Sequence, residues 1–334
     1  MTRPKTEDAC ANAVDRFSSS DTAAAYAKAN EDYVPIYATY TDTFMQFPAV
    51  TDIEQSDADV VVSGIPFDLA CGGRSGSRMG PKGIRTASAN LVWEGVRWPW
   101  DFALDDHLNV ADCGDIFFQY GEPESFVVNA EAHASRILNA GKKMLSFGGD
   151  HFVSLPLLRA YAKKHGPMAL IHFDAHTDTY SGGSKYDHGT VFYHAMNEGL
   201  IDTERSIQIG IRTSFNRDNY PLEVLDAAWV NDHGPAAVLE RIRARVGDHK
   251  AYVSFDVDGL DPAFAPGTGT PVAAGISTDC ALKVIRGLKG MNLQGMDVVE
   301  VSPSYDHAEI TSLAAATLAL EFLYVLADAN ASGD

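Results

Sequence analysis

The stretch Met168-Ala-Leu-Ile-His-Phe-Asp-Ala-His-Thr-Asp178 changes character half-way along. Its first half is a short apolar run of the kind that forms a buried parallel strand. Its second half carries three metal-ligating side chain types, Asp174, His176 and Asp178. Residues two apart share one face of a strand. Full extension at about 3.3 Å per residue would hold Asp174 and Asp178 about 13 Å apart, too wide for one ion. The strand is therefore expected to end near His176, with the chain curling back.

Two further stretches have the same build. Phe147-Gly-Gly-Asp-His151 follows an apolar run and opens a helical pattern. Its glycines permit a tight turn, and Asp150 is placed to cap the helix from whose first turn His151 projects. Ser254-Phe-Asp-Val-Asp-Gly-Leu-Asp-Pro262 sets Asp256 and Asp258 on one face of a strand end. Neither Asp174–Asp178 nor Asp256–Asp261 contains a Lys or Arg. Crowded carboxylates without cations are very costly to bury. Two divalent ions remove that cost, and His151, His176, Asp174, Asp178, Asp256 and Asp258 supply enough ligands if two carboxylates bridge. With no thiolate in these stretches, the donor set indicates a divalent first-row metal and goes no further. Glu300 ends another strand beside the same crevice, where helix capping or an ion pair is the plainer alternative. His188, in Tyr186-Asp-His-Gly-Thr190, is a loop histidine for which a structural or solvent-facing role is the plainer reading.

Similar apolar runs occur at Asp59–Ile65, Leu108–Cys113, Lys143–Phe147, Ser206–Gly210, Ala251–Phe255 and Gly295–Glu300. Helical patterns lie between them at Ser125–Asn139, Phe152–His165, Pro235–Val246, Thr278–Leu288 and Glu309–Ala327. This alternation predicts an α/β fold, a parallel sheet covered by helices on both faces. Ligands of such sheets bind beyond the carboxyl ends of the strands, where the acidic and histidine residues fall. Residues 1–56 are polar, without sustained periodicity, and are read as an N-terminal arm. Residues 57–334 are read as a single domain.

The 334 residues are 46% hydrophobic and 21% charged, which excludes a disordered or low-complexity chain. The net charge of −19 argues against nucleic acid and anionic membrane as partners, and suits a small cationic substrate. Cys10, Cys71, Cys113 and Cys280 are far apart and form no CxxC, which fits a reducing cytosol. The apolar run Ile310–Leu320 is too short to span a bilayer, and charges interrupt any leader-like segment near the N-terminus. A soluble, cytoplasmic protein is expected.

Taken in order, Gly148-Gly-Asp-His151, Asp174-Ala-His-Thr-Asp178, Ser254-Phe-Asp-Val-Asp258 and Glu300-Val-Ser-Pro303 resemble the motifs of the ureohydrolases, the arginase and agmatinase family. The resemblance runs from about residue 57 to 327. It is closest to the bacterial agmatinase branch, through Gly64-Ile-Pro-Phe-Asp68, Tyr186-Asp-His-Gly-Thr190 and Asp261-Pro-Ala-Phe-Ala-Pro-Gly-Thr-Gly-Thr-Pro271. It implies a three-layer α/β/α sandwich and two Mn2+ per subunit. His151, Asp174, Asp178 and Asp256 would hold one ion, and His176, Asp174, Asp256 and Asp258 the other. Glu300 would hold the substrate guanidinium and His188 would shuttle protons. Asp178, alone or with the metal it binds, would stabilise the tetrahedral intermediate. It also implies a homo-oligomer, trimer or hexamer. The loops Thr179–Asp187 and Arg212–Asn216 lack the arginase residues that read an α-amino acid head. Hydrolysis of agmatine to putrescine and urea is the activity implied. Guanidinobutyrate or guanidinopropionate hydrolysis is the near alternative, and a catalytically silent regulatory subunit the distant one.

Overall fold

The computed structural model describes residues 43–119 and 121–331; the expected arm lies outside it up to residue 42. Eight strands are described: β1 (Val60–Ile65), β2 (Val110–Asp115), β3 (Lys143–Gly148), β4 (Ala169–Phe173), β5 (Ile207–Ile211), β6 (Glu223–Asp226), β7 (Ala251–Asp256) and β8 (Leu293–Val299). They form one sheet in the order β2-β1-β3-β8-β7-β4-β5-β6. Every neighbouring pair is parallel, so all carboxyl ends share one edge.

Among the described residues, seven helices of more than one turn pack around this sheet: α1 (Gly80–Ser88), α2 (Pro123–Asn139), α3 (Ser154–His165), α4 (Val191–Asn197), α5 (Ala227–Val246), α6 (Thr278–Arg286) and α7 (Ile310–Ala331). The strand side chains alternate between two cores. Val60, Val62, Leu145, Phe147, Ile171 and Phe255 pack with α5, α6 and α7. Val61, Met144, Leu170 and Tyr252 pack with α2, α3 and α4 on the other face. Because both faces are covered, the strands read as nearly continuous apolar runs rather than alternating ones. The α/β/α sandwich expected from the sequence is therefore present.

Four details depart from expectation. The short edge strand β6 gave no apolar run. The helix expected at Pro235–Val246 begins at Ala227, because Asp226 caps it by accepting from the Trp229 amide; Gly234, at φ 78°, kinks it just before Pro235. The apolar run near the end belongs to the longer helix α7, Ile310–Ala331, which by length and composition would cross a membrane, yet 89% of its most apolar window is buried. It is a core helix. Residues 43–56 are also packed on the domain. Phe44 is fully buried, its amide donates to Asp112 Oδ2 at 2.7 Å, and its ring lies 4.9 Å from that of Phe147. The boundary expected at residue 57 thus falls inside packed structure.

Candidate metal centre and substrate cleft

The loops carrying the acidic and histidine residues leave the carboxyl ends of β3, β8, β7 and β4, four adjacent strands at the middle of the sheet. After β3 the chain turns at Gly149, where an added Cβ would lie 1.8 Å from the Phe67 carbonyl oxygen. Asp150 then caps a helical turn by accepting from the Phe152 amide, as expected, and also accepts from the Ala70 amide. This fixes His151, fully buried, at the floor of the cleft.

His151 Nδ1 stands 3.1 Å from Asp174 Oδ2, 2.9 Å from Asp178 Oδ2 and 3.3 Å from Asp256 Oδ2. It is aligned for a hydrogen bond with none of them. On the far side, Nε2 meets Ser254 Oγ at 2.9 Å, and Ser254 donates onward to Asp297 Oδ1 at 2.7 Å. Asp297 also accepts from Ser154 and Tyr252. Ser254 thus accepts from Nε2–H, which leaves Nδ1 to face three carboxylates. A ring nitrogen aimed at three anions without a hydrogen bond suits a shared cation. Burial works against a charged imidazole here, but Asp174, Asp178 and Asp256 together drive its pKa well up.

A second cluster lies beside the first. His176 Nδ1 is 3.3 Å from Asp174 Oδ1 and 3.1 Å from Asp258 Oδ2. Asp174 therefore offers one oxygen to each histidine, the arrangement a bridging carboxylate needs. Asp256 turns Oδ2 toward His151, while its Oδ1 accepts from the Asp258 amide at 2.7 Å. Asp258 accepts from the Ala175 amide and the Thr270 hydroxyl. Burial and the Asp258 and Asp174 charges push Asp256 well above the ordinary carboxylate range. Burial and Asp174 raise Asp258 to about 6. Burial also opposes charge on Asp174, yet His172, His151 and His176 hold its carboxyl well below that range. Two carboxylates pushed toward neutrality beside two imidazoles driven to take up a proton mark a site short of positive charge, and the residues fit divalent ions.

Glu300 follows β8 with φ at 65°, and Asp178 has φ at 50°; both occupy the left-handed region that costs other residues of order 1–3 kcal/mol. Glu300 Oε1 accepts from the His151 amide at 2.9 Å and from His188 Nδ1 at 2.8 Å. Its Oε2 is buried with no hydrogen-bond partner, an acceptor awaiting a donor. Burial disfavours charge on His188, but Glu300 outweighs it and raises the imidazole to about 9. All eight residues singled out in the sequence thus converge on one cleft.

The sequence reading missed the support behind Asp174. Gln208 Nε2 donates to His172 Nδ1 at 2.8 Å and to the Thr177 carbonyl, while Tyr220 donates to Gln208 Oε1 at 2.5 Å. His172 is thereby fixed with Nε2–H toward Asp174 Oδ2, 2.9 Å away. The signal was present: His172 is the polar residue inside the apolar run of β4.

Above the clusters opens a cavity of about 850 Å3, lined by Asp178, His188, Phe215, Asn216, Asp218 and Tyr220 among others. No Lys or Arg is among its described lining residues. The cations of the flanking loops are engaged elsewhere. Arg212 donates to carbonyls that include those of Val272, Gly210 and Asp258. Lys185 lies over the Tyr186 ring and Arg217 over that of Phe215. Asp187 caps its own turn by accepting from the Gly189 amide.

A parallel α/β sandwich with paired Asp and His clusters at the carboxyl edge of its sheet has the build of a metal-dependent hydrolase. The Arginase family model matches residues 58–324, and the chain belongs to that family, whose members hydrolyse a C–N bond of a guanidino or amidine substrate. It is 60% identical over 284 residues to an agmatinase of Serratia proteamaculans, covering 85% of this chain and 92% of that one. A solved structure of a hypothetical agmatinase from Burkholderia thailandensis superposes with a TM-score of 0.84 at 49% identity, covering 87% of this chain and 92% of that chain. Proclavaminate amidino hydrolase from Streptomyces clavuligerus matches with a TM-score of 0.81 at 39% identity, covering 89% and 100%.

Proposed function

We propose that the protein is an agmatinase that hydrolyses the guanidinium of agmatine to putrescine and urea with two Mn2+ ions bound. The observation that carries the agmatine assignment is the cavity above the clusters, acidic and aromatic and, among the described residues, without a lining Lys or Arg. A diamine-type tail enters such a cavity at low cost, whereas the carboxylate of guanidinobutyrate finds no cation to offset its desolvation. Similarity to the Serratia agmatinase supports the same reading.

His151, Asp174, Asp178 and Asp256 would hold one ion, and His176, Asp174, Asp256 and Asp258 the other. When bound, the ions supply a water whose pKa falls from 15.7 toward about 7, a nucleophile at neutral pH. Glu300 receives the guanidinium on Oε2 and orients it over the clusters. Asp178, which lines the cavity, stabilises charge as the guanidinium carbon becomes tetrahedral. The amine leaves only if it gains a proton. His188, whose Nδ1–H is held on Glu300 Oε1, carries that proton at the cleft mouth and recovers it from solvent. Asp218 is the acidic partner proposed for the far ammonium.

The test is a panel of guanidino compounds ranked by kcat/KM. Agmatine is expected to exceed guanidinobutyrate and arginine by at least about tenfold, a difference of ~1.4 kcal/mol in transition-state binding. Comparable turnover of either competitor would refute the agmatine assignment and leave the family chemistry intact. Asp218→Asn should raise KM for agmatine more than it lowers kcat. We propose in addition a cytoplasmic homo-oligomer, trimer or hexamer. The exposed indoles of Trp93 and Trp98, 79% and 84% accessible, support burial against another copy. Light scattering that returns a monomer would exclude it.

A further inference from the structure

We propose that Cys71, His188 and Glu300 form a separate cation site, which takes a zinc-class thiophilic ion and blocks the cleft when filled. The Cys71 Sγ, a His188 ring nitrogen and a Glu300 carboxylate oxygen all lie within 4.8 Å of one another. Thiolate, imidazole and carboxylate are zinc ligands, and three protein ligands with one open position suffice for a zinc site. The thiolate also separates this site from the Asp and His clusters, whose oxygen-rich donors favour manganese. None of the six residues assigned to the binuclear centre takes part.

Two independent observations point to a ligand. Glu300 Oε2 is fully buried, aimed into the cleft and unpartnered. Gly269 keeps a side chain out of the space between the donors: a Cβ there would lie 3.0 Å from the Arg74 carbonyl oxygen, 3.5 Å from Cys71 Sγ and 3.6 Å from Glu300 Oε2. The local geometry is ready for exchange of a proton for an ion. His188 Nε2 accepts from the Gly72 amide at 3.1 Å, so Nδ1 carries the proton shared with Glu300 Oε1. On ligation the ion replaces the Gly72 amide at the Nε2 lone pair, and Nδ1 keeps its proton on Glu300 Oε1. The Cys71 thiol donates to the Arg74 carbonyl at 3.1 Å and gives up its proton to solvent on ligation. Without an ion the thiol stays neutral, since burial and the Glu300 and Asp150 charges raise its pKa to about 12, so it is a weak nucleophile.

An ion here occupies the carboxylate that receives the guanidinium. The inhibitory consequence therefore rests on the function proposed above, whereas binding does not. The experiment titrates Zn2+ into the Mn2+-loaded protein in excess Mn2+, at several agmatine concentrations. Inhibition is expected to be rapid, competitive with agmatine and reversed by chelation. Cys71→Ser should leave zinc-free kcat/KM unchanged and weaken inhibition by at least about tenfold. Independently of turnover, Co2+ added to the Mn2+-loaded protein should give a near-ultraviolet thiolate-to-cobalt absorption that Cys71→Ser abolishes. Equal zinc sensitivity in wild type and Cys71→Ser would overturn the proposal. So would slow inhibition accompanied by manganese release, or the absence of the cobalt band.

Discussion

Asp174 serves both clusters, with one oxygen toward His151 and the other toward His176. Asp256 differs, since only its Oδ2 faces a histidine while Oδ1 takes a backbone amide. Both are assigned as bridges, so Asp256→Asn should release both ions rather than one. Elemental analysis after Mn2+ loading checks this, and full retention of two ions would remove Asp256 from the ligand set. His188 makes a different demand. If it carries the proton to the leaving amine, His188→Asn should lower kcat more than it raises KM, and imidazole-like bases should restore part of the loss. A variant with wild-type kcat across neutral and alkaline pH would return His188 to a structural role.

Elements hold these residues through a few close approaches. The turn between β3 and α3 fits only with Gly149 against the Phe67 carbonyl. Gly149→Ala should destabilise the fold by about 3 kcal/mol, at the upper end of ordinary overpacking, because the obstacle is backbone and cannot rotate away. Its melting temperature should drop accordingly, and an unchanged value would mean that the turn has slack. On α2, His133 contacts Ser63 Oγ at 2.9 Å, and burial, aided by the Arg136 charge, lowers its pKa from 6.5 to about 4. Between those values the unfolded chain binds the extra proton. Stability from this group is therefore complete above about pH 6.5 and falls as pH drops toward 4, by roughly 3 kcal/mol at most. Urea unfolding of wild type and His133→Gln at neutral pH and near pH 4.5 measures it. The variant should lose less stability on acidification, and parallel losses would contradict the assignment.

Across the whole molecule, Glu321 ties distant parts of the chain together. This fully buried carboxylate of α7 meets Arg97 at 2.9 Å, Arg286 of α6 at 2.6 Å and the Trp100 indole at 2.8 Å. Those partners hold its pKa below the ordinary range against the effect of burial. Glu321→Gln leaves Arg286 without its anion and Arg97 with Glu94 alone, a loss of about 3 kcal/mol. Denaturant unfolding should show it, while the metal content of the folded fraction stays at the wild-type value, since α7 lies away from the clusters. Loss of metal in that fraction would show that the packing of α7 sets the geometry of the cleft.

Local chemistry made much of this protein legible. Apolar runs that end in Asp or His mark strands whose carboxyl ends carry ligands, because residue order along a strand needs no tertiary information. The cost of crowding carboxylates made cations necessary before any distance was known. Composition could not supply the strand order. β7 and β8, late in the chain, insert between β3 and β4, and this sets His151, Glu300, Asp256 and Asp174 side by side. Nor could it show where the loop cations go: packing commits Lys185, Arg212 and Arg217 to rings and carbonyls. The role of His172 was hidden for the same reason, since its orientation depends on Gln208 and Tyr220, which are remote in sequence. Ligand types are properties of single residues and short spacings, whereas the partners that orient them come from other strands and exist only once the sheet has formed.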